Sequence, residues 1–231
     1  MRSLYSRLEE RIELLGANPY FSTLPASALR EVAEETQLRF YHKDEVIFLE
    51  GESCAGLFIL KEGTVKLSKL STNGREMIFR TLKAGTTFNE VPVFDEGPHA
   101  VNATALENCT LWVVNPLIVR EMLKRYPQMG QAVILNLAKN LRMFVELVND
   151  LSFYQVIQRL ARCLADLPYD AGSGKKAIKI TQVQLAAQLG TVREVVARAL
   201  RELEKSGAIR VSRRNIEVVE EAVLRRWMEA S

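Results

Sequence analysis

Six apolar residues past the middle of the chain constrain its fold more than any others. Ile134, Leu137, Leu141, Phe144, Val148 and Leu151 follow one another in steps of three, four, three, four and three. Such a repeat, about 3.5 residues long, keeps one apolar seam on one side of a helix. Lys139, Asn140, Arg142, Glu146, Asn149 and Asp150 leave the other faces wet. A narrow seam suits an identical helix beside it, so the stretch from about Pro127 to Leu151 reads as a dimerisation helix. An amphipathic helix packed on its own domain is the alternative, because the repeat covers only about two and a half heptads.

What precedes this helix has a different period. Leu4, Leu8, Ile12 and Leu15, ended by Gly16, predict a first helix, and Leu24-Pro25 followed by Ser27 opens a second, to about Glu35. From Leu38 short runs of Val, Ile, Phe, Leu and Thr follow at close intervals: 38–41, 46–50, 56–60, 64–70, 76–82, 86–88, 101–105 and 110–114. Turn residues separate them. Strands this short and this regularly punctuated predict a small antiparallel barrel or sandwich. Asn73-Gly74 is the clearest hairpin turn, since both residue types tolerate positive φ. Pro116 starts a further helix, to about Lys124.

The segment after the seam carries the charge. Residues 168–231 hold 12 Lys and Arg against 8 Asp and Glu, whereas residues 1–167 hold 19 against 20. A basic end on a neutral body is the footprint of a nucleic-acid-binding domain. A helix over about Tyr154–Leu167 leads to the loop 170–176, whose Gly-Ser-Gly-Lys lacks the first glycine and the final Ser or Thr of a phosphate loop. Thr181 then caps a helix carrying Val183, Leu185, Ala186 and Leu189. Gly190 supplies a turn, and Thr191 caps a second helix with Val195, Val196, Ala199, Leu200 and Leu203. Two short helices about a glycine turn form a helix-turn-helix. Ile209–Val211 and Ile216–Val219, around Arg210, Arg213 and Arg214, form a basic wing, and a helix over about 220–228 closes the chain.

Several classes fall away. No apolar run approaches the ~18 residues of a membrane span, and the N-terminus lacks the apolar core of a signal peptide, so a cytoplasmic location is expected. Cys54, Cys109 and Cys163 are too far apart for a zinc or iron–sulfur site, and an odd count argues against a disulfide framework. Neither a metal cluster nor a Ser/His/Asp grouping supports an enzyme.

Three stretches together resemble the bacterial transcription regulators related to the catabolite activator protein and the fumarate–nitrate regulator. They are Gly51-Glu52 with Gly56-Leu57-Phe58-Ile59-Leu60-Lys61-Glu62-Gly63; Asn73-Gly74-Arg75-Glu76 through Phe88-Asn89-Glu90 to Phe94; and Gln184-Leu185-Ala186 through Leu189-Gly190-Thr191-Val192-Arg193-Glu194 to Gly207-Ala208-Ile209. The resemblance runs from about Phe21 to Val219. It implies an α+β chain: an N-terminal antiparallel β-roll of the cyclic-nucleotide-binding, jelly-roll type (1–126), a dimerisation helix (127–151) and a C-terminal winged helix-turn-helix (152–231). It also implies a homodimer on double-stranded DNA, with RNA polymerase as a further partner and activation as the expected outcome. By the match to Arg-Glu-x-x-x-Arg, Arg193, Glu194 and Arg198 would read a TGTGA-like half-site. Arg can bond guanine O6 and N7 as a pair, and Glu can accept from cytosine N4. Thr181, Gln182, Arg210, Arg213 and Arg214 would touch phosphates, which position without reading.

The effector pocket departs from the pattern. Cyclic-AMP-sensing relatives use a Gly-Glu pair and an Arg-Ser pair; here these positions are Asn89-Glu90 and His99-Ala100. Without the guanidinium and the hydroxyl, cyclic AMP is not the expected ligand. The absence of cysteine from residues 1–53 excludes the fumarate–nitrate type of iron–sulfur cluster. The cassette also resembles the nitric-oxide-responsive branch, so haem stays open as a cofactor, with His42 and His99 the only histidines. A regulator acting without a small ligand, and a nucleotide-sensing module acting on a protein partner, are the other readings.

Overall fold

The computed structural model describes residues 2–169, 176–212 and 215–229, with side chains from Leu8 onward. The elements are α1 (Arg2–Ala17), α2 (Ala26–Glu34), β1 (Thr36–Tyr41), β2 (Val46–Phe48), β3 (Leu57–Glu62), β4 (Thr64–Leu70), β5 (Glu76–Lys83), β6 (Thr87–Phe88), α3 (Glu90–Asp95), β7 (Asn102–Ala105), β8 (Cys109–Val114), α4 (Pro116–Arg125), α5 (Met129–Phe153), α6 (Val156–Ala165), β9 (Ala177–Lys179), α7 (Gln182–Gln188), α8 (Arg193–Lys205), β10 (Ile209–Ser212), β11 (Asn215–Val218) and α9 (Glu221–Glu229). Contacts divide the chain into two compact units, Met1–Lys69 with Phe79–Arg142, and Leu70–Ile78 with Met143–Ser231.

The first unit is the roll. Its strands form two four-stranded sheets, ordered β1-β8-β3-β6 and β2-β7-β4-β5. The Leu57-Phe58-Ile59-Leu60 run of β3 has no polar alternation because both of its faces are covered. Phe58 and Leu60 point inward, with Phe48, Val65, Leu82, Phe88, Leu111 and Val113. Leu57 and Ile59 point outward with Trp112 and Val114, against Leu15, Phe21, Val32, Val119 and Met122 from the helices. Met129 and Val133 join this outer core, so the first turns of α5 are anchored on the roll.

Two glycines close the roll tightly. A Cβ on Gly63 (φ +95°) would lie 2.6 Å from both the Asn108 carbonyl oxygen and Cys109 Sγ. A Cβ on Gly56 (φ +142°) would lie 2.6 Å from the Val114 carbonyl oxygen. The β4–β5 hairpin corrects a sequence expectation. Only Gly74 takes positive φ (+76°); Asn73 does not. Gly74 N–H donates to the Ser71 carbonyl at 2.9 Å and Ser71 N–H to the Arg75 carbonyl at 2.8 Å. This is a type I turn followed by a left-handed glycine, which spares Asn73 the unfavourable backbone.

In the second unit, Leu160 and Leu164 of α6 pack with Leu185, Leu189, Val196, Leu200, Leu203 and Leu224 in one core. Gly190 (φ +62°) ends α7, with Thr191 N–H donating to the Ala186 carbonyl at 3.0 Å; Gly207 (φ +80°) ends α8, with Ala208 N–H donating to the Leu203 carbonyl at 3.1 Å. Both are Schellman closures, in which a left-handed residue lets the chain turn back onto the last helical carbonyls. The wing sheet has a third strand absent from the sequence reading, in the order β10-β11-β9. Three further expectations are corrected. Val183 is 63% exposed rather than part of the core, because α7 turns its Leu185, Ala186 and Ala187 side inward. Val192, not Thr191, sits at the N-cap of α8, and no side chain caps it. The short helix α3 stands where no helix was expected. The loop 170–175, Arg213 and Arg214 lie outside the described residues.

Gly63→Ala is expected to destabilise the protein by ~2 kcal/mol or more, since it combines a strained φ with a clash against backbone. Gly74→Ala has the same kind of φ but open space around it, so its cost should be nearer ~1 kcal/mol. Calorimetric melts of the two variants compare the terms directly; equal losses would mean that the close approach at Gly63 costs nothing.

Candidate nucleic-acid interface and effector pocket

Helix α8 separates its residues by face. Val196, Ala199, Leu200 and Leu203 are buried, while Arg193, Glu194 and Arg198 are exposed. The helical period explains this, since positions three and four apart share a side. The fold thus presents the three side chains expected to read bases together, from the first two turns of one rigid helix. Arg201, one turn further along, is exposed as well.

The expected phosphate contacts are less uniform. Thr181 caps α7: its Oγ1 accepts from Gln184 N–H at 3.2 Å, and its own N–H donates to Gln184 Oε1 at 3.0 Å. This reciprocal box fixes the entry to the helix-turn-helix. Gln182 is half-buried at the first turn. Arg210 is exposed on β10 and faces Glu217 across the sheet, so its charge is partly offset.

In the roll, the two departures from the family pattern meet each other. Asn89 has φ +74°, a left-handed backbone that glycine adopts freely and Asn tolerates better than most residues. Its side chain fills the space a glycine would leave. Asn89 Nδ2 donates to the Gly56 carbonyl at 2.7 Å, and its Oδ1 lies 2.9 Å from His99 Nδ1. His99 Nε2 accepts from Ala55 N–H at 3.3 Å, which assigns the ring proton to Nδ1. The ring stacks on Phe48 with centroids 3.9 Å apart. His99 is 1% exposed, and burial lowers its pKa, so the imidazole is neutral at pH 7. Ala100, beside it, is exposed.

This geometry bears on both ligands considered above. A phosphate at the cassette would meet a neutral, fully bonded ring in place of a guanidinium. Haem iron would need a ring nitrogen, and both nitrogens of His99 are already bonded within the protein. His42 sits at the surface end of β1 with its ring edge-on to Phe40. The residues present therefore fit neither group well. Among the described residues no cluster of three or more His, Cys, Asp or Glu could hold a metal. Burial pushes all three thiols up, away from the thiolate form.

Glu90 has a different set of neighbours from those the sequence suggests. It is 6% exposed. Its Oε1 accepts from the Tyr20 hydroxyl at 2.9 Å and from Asn136 Nδ2 at 2.9 Å, and Asn136 also donates to the Tyr20 oxygen. Tyr20 lies between α1 and α2, Glu90 opens α3 and Asn136 belongs to α5. One carboxyl thus ties three parts of the unit together. Burial holds the carboxyl above the ordinary Glu range, and burial together with the Glu90 charge pushes the Tyr20 phenol far up. Nothing in the sequence marks Tyr20 or Asn136 as partners of Glu90, because 70 and 46 residues separate them from it.

Comparison with known proteins decides the family. The cyclic nucleotide-binding domain model matches residues 38–126, and the Crp-like helix-turn-helix domain model matches residues 158–227. The chain belongs to the Crp/Fnr family of transcription regulators. It is 29% identical over 207 residues to the cyclic AMP receptor protein of Thermus thermophilus, covering 90% of this chain and 95% of that one. It is 25% identical over 209 residues to the CRP-like cAMP-activated global transcriptional regulator of Mycobacterium tuberculosis, covering 88% and 93%. Among solved structures, a protein described as a crp/fnr-family transcriptional regulator from Eubacterium rectale superposes with a TM-score of 0.79 at 20% identity, covering 92% of this chain and 98% of that one. The family consists of DNA-binding regulators rather than enzymes, and the observed architecture is theirs. Among the described residues no helix is long and apolar enough to cross a membrane.

Glu90 has a measurable signature. With its pKa raised in the folded state, the folded chain keeps a proton that the unfolded chain has lost. Stability therefore falls as pH rises from the ordinary Glu range through the folded pKa. Glu90→Gln keeps an acceptor for Tyr20 and Asn136 and removes the charge. The variant should melt above the parent at pH 8, with the gap narrowing toward pH 5. Thermal melts across that range test this, and parallel pH profiles would show that the buried carboxyl is not the group responsible.

Proposed function

We propose that the protein acts in the cytoplasm as a homodimeric, sequence-specific transcription regulator on a palindromic TGTGA-like site. In this reading Arg193, Glu194 and Arg198 read the bases, and Thr181, Gln182 and the wing arginines Arg210, Arg213 and Arg214 touch phosphates. The carrying observation is the sidedness of α8, whose outward face is Arg, Glu and Arg while its inward face is core. A single helix reads too few base pairs to select a genomic site. Two helices about 34 Å apart, one helical turn of DNA, read a palindrome.

The α5 seam supports the pairing. All six of its residues are exposed in the single chain, with Ile134 at 68%, Leu141 at 64% and Val148 at 61%. Large apolar side chains in a contiguous line on a soluble helix point to a partner. A ligand in the roll that favours one arrangement of the paired helices would shift DNA affinity, to the extent of its differential binding. The cassette geometry favours an effector other than cyclic AMP. RNA polymerase is the expected downstream partner, with activation the expected outcome.

Gel-shift titrations with a TGTGA-type palindrome and a scrambled duplex test the whole reading, which requires clear preference for the palindrome. Arg193→Ala should lose roughly 1–3 kcal/mol of discrimination at one base position; uniform weakening on all sequences would refute the role. Leu141→Glu places a charge in the seam and should convert the protein to a monomer in sedimentation experiments while leaving each unit folded. A variant that stays dimeric would move the interface elsewhere.

A further inference from the structure

Arg80 projects from β5 and is half-buried. One of its guanidinium nitrogens, Nη1, donates to Asn140 Oδ1 at 2.9 Å. Its positive field reaches Glu90 and Tyr20 and offsets a small part of the rise that burial imposes on both. Yet among the described residues no carboxylate lies within ion-pair distance of it. Glu90 Oε1 accepts instead from Tyr20 and Asn136. A guanidinium offers five N–H donors in a planar fork that matches the oxygens of carboxylate and phosphate. Partly shielded and with no carboxylate in direct contact, it can receive an anion.

We propose that Arg80 and Asn140 form an oxyanion site in the roll, taking the carboxylate or phosphate group of the effector in place of the cassette guanidinium that His99 has replaced. Asn140 accepts from Arg80 through Oδ1 and keeps its amide N–H groups to offer the same anion. Glu90 and Tyr20 form the neighbouring wall, with the carboxyl turned toward its own hydrogen bonds. The site rests on the reading of the roll as the effector domain, but it places the charge on β5 and α5 rather than in the cassette.

The position gives the anion leverage. Asn136 and Asn140 lie one turn apart on the side of α5 that faces the roll. The next residues along, Leu137 and Leu141, belong to the exposed seam. An anion drawn to Arg80 therefore holds the same helical turn whose other side meets the proposed partner. Binding would tighten the attachment of α5 to the roll and favour whichever packing of the paired helices that attachment permits.

The test uses the full-length protein without DNA. Isothermal titrations with sodium phosphate and, separately, sodium malonate are run at constant ionic strength set with sodium chloride. Saturable binding of at least one anion is expected; the phosphate and malonate arms distinguish a phosphate group from a carboxylate. Arg80→Gln should weaken it by roughly tenfold or more, as expected for loss of a charge-assisted fork. Arg75→Gln, on the exposed hairpin, should leave it unchanged. If Arg80→Gln melts early, Asn140→Leu, which leaves the guanidinium in place, should still weaken binding several-fold. Absence of saturable binding by either anion, or equal binding by parent and Arg80→Gln, overturns the site. Gel shifts in anion-free buffer report on the DNA-binding reading separately, so failure of one is distinguishable from failure of the other.

Discussion

Helix α5 depends on two opposite solutions to the same problem, where to put its apolar and polar side chains. Toward the roll it first buries Met129 and Val133, then presents Asn136 and Asn140, each bonded to groups of the roll. On another side it leaves Ile134, Leu141 and Val148 largely exposed. The first face is settled within one chain. The second is stable only if something covers it. Full burial of a Leu, Ile or Phe side chain is worth ~1.5–3 kcal/mol. Association costs on the order of 4–15 kcal/mol. Six such residues per chain, each already about half covered, contribute on the order of 10–20 kcal/mol to a dimer, which meets that cost with little margin if the seam acts alone. The exposed Leu135, Met143 and Val145 beside it widen the apolar stripe beyond a two-position repeat. A partner that also covers these flanks makes a short heptad helix sufficient.

The roll shows how two positions of a family pattern can change without changing the fold. Two positions that would hold a nucleotide now hold each other, through Asn89 Oδ1 and His99 Nδ1. The substitution is compensated locally: Asn keeps the left-handed backbone and supplies polar atoms for a histidine that has no water to bond. The ring then stacks on Phe48, which itself packs against Phe58 with centroids 5.4 Å apart. What was a polar corner in the family pattern becomes part of the aromatic core. Glu90 persists, but its bonds run to Tyr20 and Asn136. Its present work is mechanical, joining the N-terminal helices, α3 and α5 through one carboxyl oxygen.

Much of this architecture is legible in the sequence because period and punctuation are local. The strand runs, the prolines that open α4 and precede α5, and the glycines that end α7 and α8 all act within a few residues. The corrections also have local reasons. Asn73 can tolerate positive φ, but a type I turn asks it only of Gly74. Thr191 resembles a cap, yet the chain needs one more residue to leave the Gly190 turn, and Val192 takes the cap position. Val183 looks like a core residue until the adjacent Leu185 and Ala186 claim the inward face. The polar cluster was illegible for a different reason. Tyr20, Arg80, Glu90, Asn136 and Asn140 come from four separate segments, and polar residues carry no period that would reveal their meeting. Only a fold can show that Arg80 bonds an amide and, among the described residues, has no carboxylate within ion-pair distance.

Helix α8, the proposed reader, keeps its outward charges apart from what stabilises it. Its specific side chains are on the exposed face and contribute nothing to the core formed by Val196, Leu200 and Leu203. Its attachment is made instead by backbone closures at Gly190 and Gly207 and by the capping box at Thr181. Those devices act on the ends of α7 and α8 and leave the middle of α8 free to vary. Exchange at Arg193, Glu194 or Arg198, the proposed base-reading positions, therefore comes at small cost to folding. The roll is under the opposite constraint. There Arg80 and Glu90 also bond α5 in place, so any change at them is also a change in how firmly that helix is held. In the proposed reading, signal and assembly are bound to evolve together in the first unit, while the DNA preference of the second can change alone.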